Sequence, residues 1–301
     1  VAMISAADPG RDPAGTEDAG FVALLEARIA RHLADLSPAP QRLVAAARGA
    51  MAHGKRLRPC LLNHVAGKDA DPDAVLDMAV AFEMVHSASL ILDDLPAMDN
   101  ALLRRGRPTT HVLHGEATAI LAGDALQSLA FGLLTDPAIG APDARLALIR
   151  LFSDAVGARG MVWGQALDIA AETAVEPLDL VAVKRLQGAK TGALIVFSAT
   201  AGAIMAGEDA GPLTEYARNL GLAFQIQDDI LDVTGDEAET GKRLHKDGDA
   251  NKATFVSLLG LEGAQDKARK LVRAAESALD PYGEAAGNLR ALARFVIQRD
   301  A

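Results

Sequence analysis

The sequence predicts an all-α, single-domain protein, and three observations support this class. Half of the 301 residues are apolar and only 4% are aromatic, a composition that favours helices over sheets. Apolar residues recur at three- and four-residue steps along most of the chain, and no convincing alternating strand pattern occurs. Because neither a repeat nor a composition break divides the chain, we expect residues 17–301 to form one domain behind a flexible tail at residues 1–16.

The individual helices follow from this periodicity and from the residues that interrupt it. In the first segment the apolar residues from Phe21 to Leu33 share one face, and the pattern stops before Pro38. Pro96 lacks an N–H and therefore ends the long apolar helix before it. The polar residues 235–252, rich in Gly, Asp and Lys, predict a mobile loop. The predicted helices cover residues 17–36, 41–51, a segment restarting near 57, 73–95, 116–134, 143–157, 161–172, 178–188, 192–205, 213–233, 264–279 and 284–298.

Charge and cysteine content exclude several classes of protein. A net charge of −10 argues against general nucleic-acid binding. The single cysteine, Cys60, excludes an intrachain disulfide and fits a reducing cytosol, so we expect a cytoplasmic protein. We find no secretory signal and no run of about 18 uncharged apolar residues, and we therefore expect no membrane span.

Two aspartate clusters inside apolar helical stretches are the most informative feature of the chain. They consist of Asp93, Asp94 and Asp99, and of Asp228, Asp229 and Asp232. Carboxylates are costly to bury without a compensating charge, and at a helix C-terminus they oppose the macrodipole. Hard divalent cations take oxygen ligands and supply that compensation. Two such clusters far apart in sequence suggest one metal-filled cavity between facing helices.

Basic residues accompany the carboxylates. Arg104 and Arg105 follow the first cluster closely, and residues 54–59, which include Lys55 and Arg58, form a second cationic patch. Guanidinium groups beside metal-binding carboxylates describe a polyphosphate site, in which Mg²⁺ bridges phosphate and carboxylate oxygens. A solvated basic turn explains residues 54–59 equally well when they are considered by themselves.

Other polar residues allow two interpretations each. His86 precedes Asp93 by seven residues and lies on nearly the same helix face, where it would bind a diphosphate or a core partner. Gln225 lies within one turn of Asp228 and faces either the cavity or the solvent. Isolated lysines are weak indicators because most lysines are only solvated; those considered are Lys190, Lys242 and Lys252.

Together these motifs resemble the trans-prenyltransferase (polyprenyl diphosphate synthase) family over residues 21–299. The matching segments are specific in this order and spacing: residues 54–59, 93–99, 104–106, 190–192 and 224–232, with Lys242 and Lys252. The resemblance implies a bundle of mostly antiparallel helices around a deep central cavity, the isoprenoid synthase fold, and a homodimer.

The resemblance also implies a role for each matched residue. Mg²⁺, roughly three ions per active site with Mn²⁺ able to substitute, would be bound by Asp93, Asp99, Asp228 and Asp232, with Asp94 supporting and Asp229 ligating directly or through water. The allylic diphosphate would be bound by Arg104, Lys190 and Lys242, with Lys252 close by. Thr191 and Gln225 would line the reacting centre. Isopentenyl diphosphate would be bound by Lys55, Arg58, His86 and Arg105.

The implied reaction condenses isopentenyl diphosphate head to tail with dimethylallyl, geranyl or farnesyl diphosphate. The cationic site stabilises the departing diphosphate, so that the allylic C–O bond ionises. The allylic cation must be kept from water until the double bond of isopentenyl diphosphate attacks it. No protein nucleophile is needed, and none is evident in the sequence.

The residues before Asp93 bear on product length. Ala88 and Ser89 lie about one turn deeper along the helix, and both are small. In farnesyl-forming bacterial members an aromatic residue commonly fills the Ala88 position. Residues 83–111 are most similar to bacterial geranylgeranyl diphosphate synthases of carotenoid and photosynthetic-pigment pathways, so we expect the cavity to extend past Ala88 and a C20 product. The cavity floor would be formed by Met84, Val85 or Leu121.

Several alternatives stay open. The same enzyme class with a C15 product, farnesyl diphosphate, is the nearest. A non-catalytic partner subunit of a prenyl synthase is less favoured, because such a subunit is expected to lose Asp-rich residues. Head-to-head synthases and terpene cyclases lack the cationic patch at residues 54–59, and a plain helical scaffold leaves the opposed carboxylates unexplained.

Overall fold

A computed structural model describes residues 16–34, 36, 38–52, 54–67, 70–104, 106–234 and 253–298. These residues are predominantly helical, so the predicted all-α class is confirmed. The chain divides into two compact units, one from Thr16 to Arg150 and one from Leu151 onward, called here the N-terminal and C-terminal units. The predicted tail lies outside the described residues except for Thr16, with which the first helix begins, and so does the predicted loop at 235–252.

The helices of the N-terminal unit agree closely with the predicted periodicity. They are α1 (Thr16–Ala34), α2 (Gln41–Met51), α3 (Leu57–Ala66), α4 (Pro72–Asp93), α5 (Thr110–His114), α6 (Glu116–Leu133), a 3-10 turn (Pro137–Ile139) and the start of α7 (Pro142–Val156). Helix α4 begins where the Asp71 carboxylate accepts hydrogen bonds from the backbone N–H groups of Asp73 and Ala74. The short helix α5 has no counterpart among the predicted elements.

Helix α4 is the centre of the N-terminal unit. Residues 78–81 have no accessible surface, and helices α1, α2, α3 and α6 pack against it. Helix α6 approaches closely because it presents Gly123 to α4: a Cβ there would lie 3.3 Å from Leu92 Cγ and 3.6 Å from the Ala88 carbonyl oxygen. Packing on several sides therefore fixes the helix that ends at Asp93.

A short hairpin follows the turn after α4. Its strands are β1 (Leu103–Arg104) and β2 (Arg107–Pro108), which pair antiparallel with Arg104 opposite Arg107. Gly106 supports the turn with a φ of +71°, a conformation that glycine adopts without steric cost. Two-residue strands are too short for a periodicity argument, which is why the sequence predicts no strand here.

The C-terminal unit continues the helical pattern. After the end of α7 come α8 (Met161–Glu172), α9 (Leu180–Gln187), a π-helical turn (Gly188–Gly192), α10 (Ala193–Ala206), α11 (Ala210–Thr234), α12 (Phe255–Ala278), a 3-10 segment (Asp280–Ala286) and α13 (Gly287–Gln298). Helix α12 starts earlier than predicted because Thr254 and Ser257 form a reciprocal capping box. A kink at Gly260, with a φ of +70°, separates this first turn from the periodic part.

The core of the C-terminal unit contains a fully buried tyrosine. The Tyr216 hydroxyl donates to the Leu289 carbonyl oxygen at 2.8 Å, which ties α11 to α13. Burial raises the pKa of Tyr216, with a smaller contribution from Glu276, so the phenol stays protonated and keeps its donor. Phe152 and Phe197 pack against each other with ring centroids 4.9 Å apart and ring planes tilted by 45°.

Two helical stretches are long and apolar enough to cross a membrane, judged by length and composition. They are Pro72–Asp93 and Leu180–Ala206. Of the most apolar 18 residues in each stretch, 72% are buried inside the protein in the first and 56% in the second. Core helices satisfy the same criteria, and α4 carries Glu83 in a buried ion pair. The length and apolarity of these helices are therefore weak indications of a membrane span.

Candidate active site

The predicted site residues fall in both units. The N-terminal unit carries the first aspartate cluster and the cationic patch, and the C-terminal unit carries the second aspartate cluster and the residues around Lys190. Three predicted residues lie outside the described part of the chain: Arg105, Lys242 and Lys252.

The chain folds back over the C-terminus of α4. The N–H of Asp99 donates to the Asp93 carbonyl oxygen at 2.9 Å, and the N–H of Ala101 donates to the Asp94 carbonyl oxygen at 3.2 Å. Asn100 completes this turn with a φ of +47°, a left-handed conformation that Asn tolerates better than most residues. Backbone donors thus satisfy carbonyl groups that would otherwise add negative potential beside the aspartates.

The two adjacent aspartates at this helix end have different environments. Asp94 is buried, and its carboxylate accepts from Arg104 Nε at 2.8 and 2.9 Å. Asp93 is partly exposed, with one oxygen 3.8 Å from Arg104 Nη2, and Asp99 is exposed. Burial lowers the pKa of Arg104, but hydrogen bonds and charge attraction from Asp94, with weaker attraction from Asp93 and Asp99, more than offset it and raise the pKa. Arg104 is therefore a permanent cation at the edge of the cluster.

The cationic patch brings together two of the predicted residues. Arg58 Nη1 lies 3.4 Å from His86 Nε2, and because a guanidinium only donates, this histidine nitrogen is the acceptor. Lys55 is exposed at the start of the same segment. Helix α3 and helix α4 therefore place a guanidinium and an imidazole side by side.

The predicted chain-length residues lie in a closed part of α4. Ala88 has no accessible surface, and Met84 and Val85 are each 1% exposed. Helix α6 packs closely against α4 at this level, where a Cβ at Gly123 would lie 3.6 Å from the Ala88 carbonyl oxygen. Ser89, one position along, is partly exposed. Leu121, the alternative floor residue, is 57% exposed on α6.

In the C-terminal unit, a π-helical turn carries Lys190 and Thr191. Glycines on the neighbouring helices allow close approach to this turn from two sides. A Cβ at Gly164 of α8 would lie 2.1 Å from the Lys190 backbone nitrogen, and one at Gly221 of α11 would lie 3.3 Å from Gly192 Cα. Such turns occur often at functional sites, and packing against two helices holds this one in place.

Lys190 has an acidic partner that the sequence did not reveal. Its Nζ lies 2.6 Å from Asp168 Oδ2. Asp168 is 8% exposed, whereas the Lys190 side chain is 26% exposed. The buried carboxylate thus compensates the lysine charge and directs the ammonium group.

A chain of hydrogen bonds links three predicted residues. Thr191 Oγ1 donates to Gln225 Oε1 at 3.2 Å, and Gln225 Nε2 donates to Asp229 Oδ1 at 2.9 Å. The second Asp229 oxygen accepts from the Phe255 N–H at 2.8 Å. Asp229 is 4% exposed, and each of its carboxylate oxygens accepts a hydrogen bond from a protein donor.

The remaining carboxylates of the second cluster are more accessible. Asp228 and Asp232 are both partly exposed, one helical turn apart on α11. Each aspartate cluster therefore pairs one sealed carboxylate with accessible ones. The sealed residues are Asp94 and Asp229, and the accessible residues are Asp93, Asp99, Asp228 and Asp232.

Among the described residues, no group of three His, Cys, Asp or Glu side chains is arranged to hold a metal ion. Mg²⁺ commonly uses one or two carboxylates together with waters and substrate phosphates, so a complete protein cage is not required. The accessible aspartates are hard oxygen donors of the type that Mg²⁺ prefers. The residues present therefore fit magnesium bound jointly with a diphosphate.

Sequence reasoning gave no individual role to three charged residues beside the site. They are Asp168, Arg56 and Glu83, all less than 9% exposed. A usable signal existed for the two acids, since each lies within an otherwise apolar helical segment, where a carboxylate needs a partner. Arg56 carries no such signal, because it sits among other basic residues in a turn.

Comparison with known proteins gives consistent matches. A model of the family described as polyprenyl synthetase matches residues 40–284. The chain is 48% identical to the farnesyl diphosphate synthase of Escherichia coli (strain K12) over 266 residues, which is 84% of this chain and 87% of that protein. This relative is a farnesyl diphosphate synthase. The expectation that the chain is most similar to geranylgeranyl diphosphate synthases is therefore not supported.

Solved structures agree with the fold. The apo crystal structure of an FPP/GFPP synthase from Zymomonas mobilis has a TM-score of 0.84 at 42% identity and covers 94% of this chain and 98% of that one. The crystal structure of a geranyltransferase from Helicobacter pylori, complexed with magnesium and isoprenyl diphosphate, has a TM-score of 0.82 at 34% identity, covering 98% of each chain. These similarities confirm the isoprenoid synthase fold.

Proposed function

The chain belongs to the polyprenyl synthetase family and is a prenyltransferase, and on that premise we propose that it condenses isopentenyl diphosphate with an allylic diphosphate to make farnesyl diphosphate, with C15 as the main product. The observation that carries the proposal is the division within each aspartate cluster. Asp94 and Asp229 are sealed by protein donors, while their neighbours Asp93 and Asp228 stay accessible. Accessible carboxylates beside fixed cations are suited to a metal–diphosphate substrate.

Magnesium is the cofactor we propose. Asp93, Asp99, Asp228 and Asp232 would hold it, with roughly three ions per site and Mn²⁺ able to substitute. When bound, Mg²⁺ supplies positive charge that stabilises the departing diphosphate. A similar structure from Helicobacter pylori is complexed with magnesium, which supports this assignment.

Two sets of cationic residues would bind the two different diphosphates. In the N-terminal unit Lys55, Arg58 and His86, with Arg105, would bind isopentenyl diphosphate. Arg104, Lys190 and Lys242, with Lys252 close by, would bind the allylic diphosphate. The ion pairs of Arg104 with Asp94 and of Lys190 with Asp168 support this assignment, because they orient the cations while leaving each partly exposed.

The reaction then follows from charge. Cationic side chains oriented toward the diphosphate stabilise negative charge on the leaving group, and the allylic C–O bond ionises. Thr191 and Gln225, held in one hydrogen-bonded chain with Asp229, would line the centre where the allylic cation forms. The double bond of isopentenyl diphosphate attacks this cation, and the proton lost afterwards is accepted by the released diphosphate.

Two observations support C15 over the C20 product expected from sequence. The Escherichia coli relative is a farnesyl diphosphate synthase. In addition, Ala88 has no accessible surface, and Met84 and Val85 below it are closed as well. A growing prenyl chain beside α4 therefore meets a closed wall about one turn below Asp93.

Geranylgeranyl diphosphate stays the second candidate, and the size of Ala88 favours it. An alanine at this position leaves a chain only small side chains to displace, whereas an aromatic residue would block it outright. The two candidates differ only in how deeply the chain enters beside Ala88.

A homodimer and a cytoplasmic location complete the proposal. Helices α5 and α6 expose several large apolar side chains that a second copy of the chain would cover. They are Val112, Leu113, Ile120 and Leu121, each between 48% and 59% exposed. Light scattering of the purified protein would report twice the chain mass, and a monomer at micromolar concentration would contradict the dimer.

Product chromatography is the experiment that tests the proposed function. The purified protein is incubated with isopentenyl diphosphate and dimethylallyl, geranyl or farnesyl diphosphate, with Mg²⁺ or with a chelator. We expect farnesyl diphosphate from the first two primers in Mg²⁺ and no product in chelator. A dominant C20 product would favour the second candidate, and no turnover with any primer would indicate a non-catalytic partner subunit.

A further inference from the structure

Arg56 is a buried arginine between two residues assigned to isopentenyl diphosphate. It is 4% exposed, whereas Lys55 before it is exposed and Arg58 after it is half-buried. Its backbone has a φ of +48°, which is left-handed and unfavourable for a residue with a long side chain. Hydrogen bonds of the Arg56 side chain stabilise this backbone conformation.

The Arg56 guanidinium joins three helices. Its Nε donates to Glu26 Oε1 of α1 at 2.8 Å, and Nη2 donates to the Met51 carbonyl oxygen at the end of α2 at 2.6 Å. Nη1 forms a further hydrogen bond with Glu83 in the middle of α4. Burial lowers the pKa of Arg56, but the charge of Glu83 and the bonds to Glu26 more than offset it, so Arg56 stays ionised.

The start of α3 contacts α4 a second time, one turn further along α4. Glu83 and His86 are three residues apart and share a face of α4. Arg56 and Arg58 are two residues apart at the start of α3. The pair Arg56–Glu83 is buried, and the pair Arg58–His86 lies beside it, part-buried. The buried pair therefore fixes how the second pair is oriented.

We propose that the Arg56–Glu83 ion pair is a positioning device for the isopentenyl diphosphate site, which sets the orientation of Lys55 and Arg58 relative to His86. This inference rests on the proposed function. Its physical basis is that a buried ion pair seldom adds much net stability over an apolar pair, while it specifies one geometry strongly. A diphosphate site needs that geometry, because a misplaced cation loses hydrogen bonds to the phosphate oxygens.

The N-terminal unit contains a matched control. Arg28 of α1 bonds both oxygens of Asp77 of α4 at 2.9 Å, and the two side chains are 15% and 14% exposed. This pair also links a helix to α4, and none of its contacts involves the cationic patch at residues 54–59. Removing it tests what the loss of an interhelical ion pair does by itself.

The experiment compares Glu83→Gln with Asp77→Asn. Glu83→Gln removes the charge at nearly constant shape, and we expect it to raise KM for isopentenyl diphosphate about tenfold. KM for geranyl diphosphate should stay within about twofold of wild type, since that substrate is assigned to other cations. Asp77→Asn should change neither KM, although both variants should lower Tm. Binding of isopentenyl diphosphate by calorimetry gives the same comparison without turnover.

Two further variants keep the test decisive. If Glu83→Gln does not fold, the double variant Arg56→Asn/Glu83→Gln leaves no unpaired buried charge, and Asn tolerates the left-handed backbone. We expect it to fold and still to bind isopentenyl diphosphate about tenfold more weakly. Arg56→Lys retains the positive charge but lacks the forked donors of a guanidinium. We expect it to bind isopentenyl diphosphate more weakly than wild type and more tightly than the double variant.

The outcomes separate this inference from the proposed function. An unchanged KM for isopentenyl diphosphate in a folded Glu83→Gln or double variant would overturn the positioning role alone. An equal rise in both KM values would do the same, because it would indicate general loosening of the unit. A wild-type protein that neither turns over nor binds isopentenyl diphosphate would overturn the proposed function, and this inference with it.

Discussion

The ammonium group of Lys190 lies 2.6 Å from the Asp168 carboxylate, and the acid is the more buried of the two. Helix α8 provides Asp168, and the π-helical turn before α10 provides Lys190. The lysine is thus held at its inner side by a fixed negative charge, while part of its side chain stays open. A diphosphate oxygen would meet an ammonium whose direction is already set, which reduces the entropy lost on binding.

We predict that Asp168→Asn weakens allylic substrate binding. The ammonium group loses its fixed partner, and we expect KM for geranyl diphosphate to rise about tenfold while KM for isopentenyl diphosphate changes little. Steady-state kinetics with each substrate varied in turn measure this. Asp154→Asn is the matched control, because Asp154 bonds Arg159 at 2.8 Å on an exposed surface of the same unit. Equal behaviour of the two variants would show that Asp168 does not orient Lys190.

Gly164→Ala should damage the same turn through the backbone. The added Cβ would lie 2.1 Å from the Lys190 nitrogen, which is too close for any real contact and involves backbone atoms that cannot turn aside. We expect a loss of about 1–3 kcal/mol in the free energy of unfolding and reduced activity. Thermal and urea unfolding measure the change in the free energy of unfolding, and steady-state turnover measures the change in activity.

Gly188→Ala provides the comparison for that substitution. Nothing lies within 4 Å of a Cβ at Gly188, and its backbone is right-handed helical. We expect this variant to be neutral or to gain up to about 1 kcal/mol, because alanine restricts the unfolded chain. If Gly188→Ala lowers stability as much as Gly164→Ala does, the close packing of α8 on the π-helical turn is not the cause of the stability lost in Gly164→Ala.

Replacing the accessible aspartates should separate chemistry from folding. Asp93→Ala and Asp228→Ala remove carboxylates that we assign to magnesium, and we expect turnover to fall by at least about a hundredfold with Tm nearly unchanged. Asp94→Ala should lower both turnover and Tm, because it leaves the Arg104 charge without its main partner. Kinetics and thermal unfolding of the three variants measure the difference. Retained activity in Asp93→Ala would contradict the metal assignment.

Ala88→Phe should shorten the product. The new ring would extend from the closed wall one turn below Asp93 into the space proposed for the end of the C15 chain, and we expect geranyl diphosphate to accumulate in place of farnesyl diphosphate. Overpacking a fully buried position should also cost about 1–3 kcal/mol of stability. Ser89→Ala, at the neighbouring and partly exposed position, should leave the product unchanged. A product of unaltered length in Ala88→Phe would mean that the chain grows along another wall.

Local patterns predicted the helices best where packing and periodicity agree. Helix α2 matches its predicted bounds, and α8 does as well, because an apolar face and clear end signals coincide in each. The start of α12 was missed, because it depends on the Thr254–Ser257 capping box and a kink at Gly260 that interrupt the apolar period. The hairpin at Leu103–Pro108 is too short for any period to predict.

The sequence by itself determined the helical class and predicted the chemistry of the site, because periodicity, charge and residue type are properties of short segments. Two aspartate clusters, a basic patch and a lysine–threonine pair already describe a metal–diphosphate enzyme. Tertiary structure decided which member of each cluster is available: Asp94 is sealed by Arg104, and Asp229 is sealed by Gln225 and Phe255. Burial and hydrogen-bond partners depend on residues far apart in the chain, and for that reason adjacent aspartates of identical chemistry acquire different surroundings.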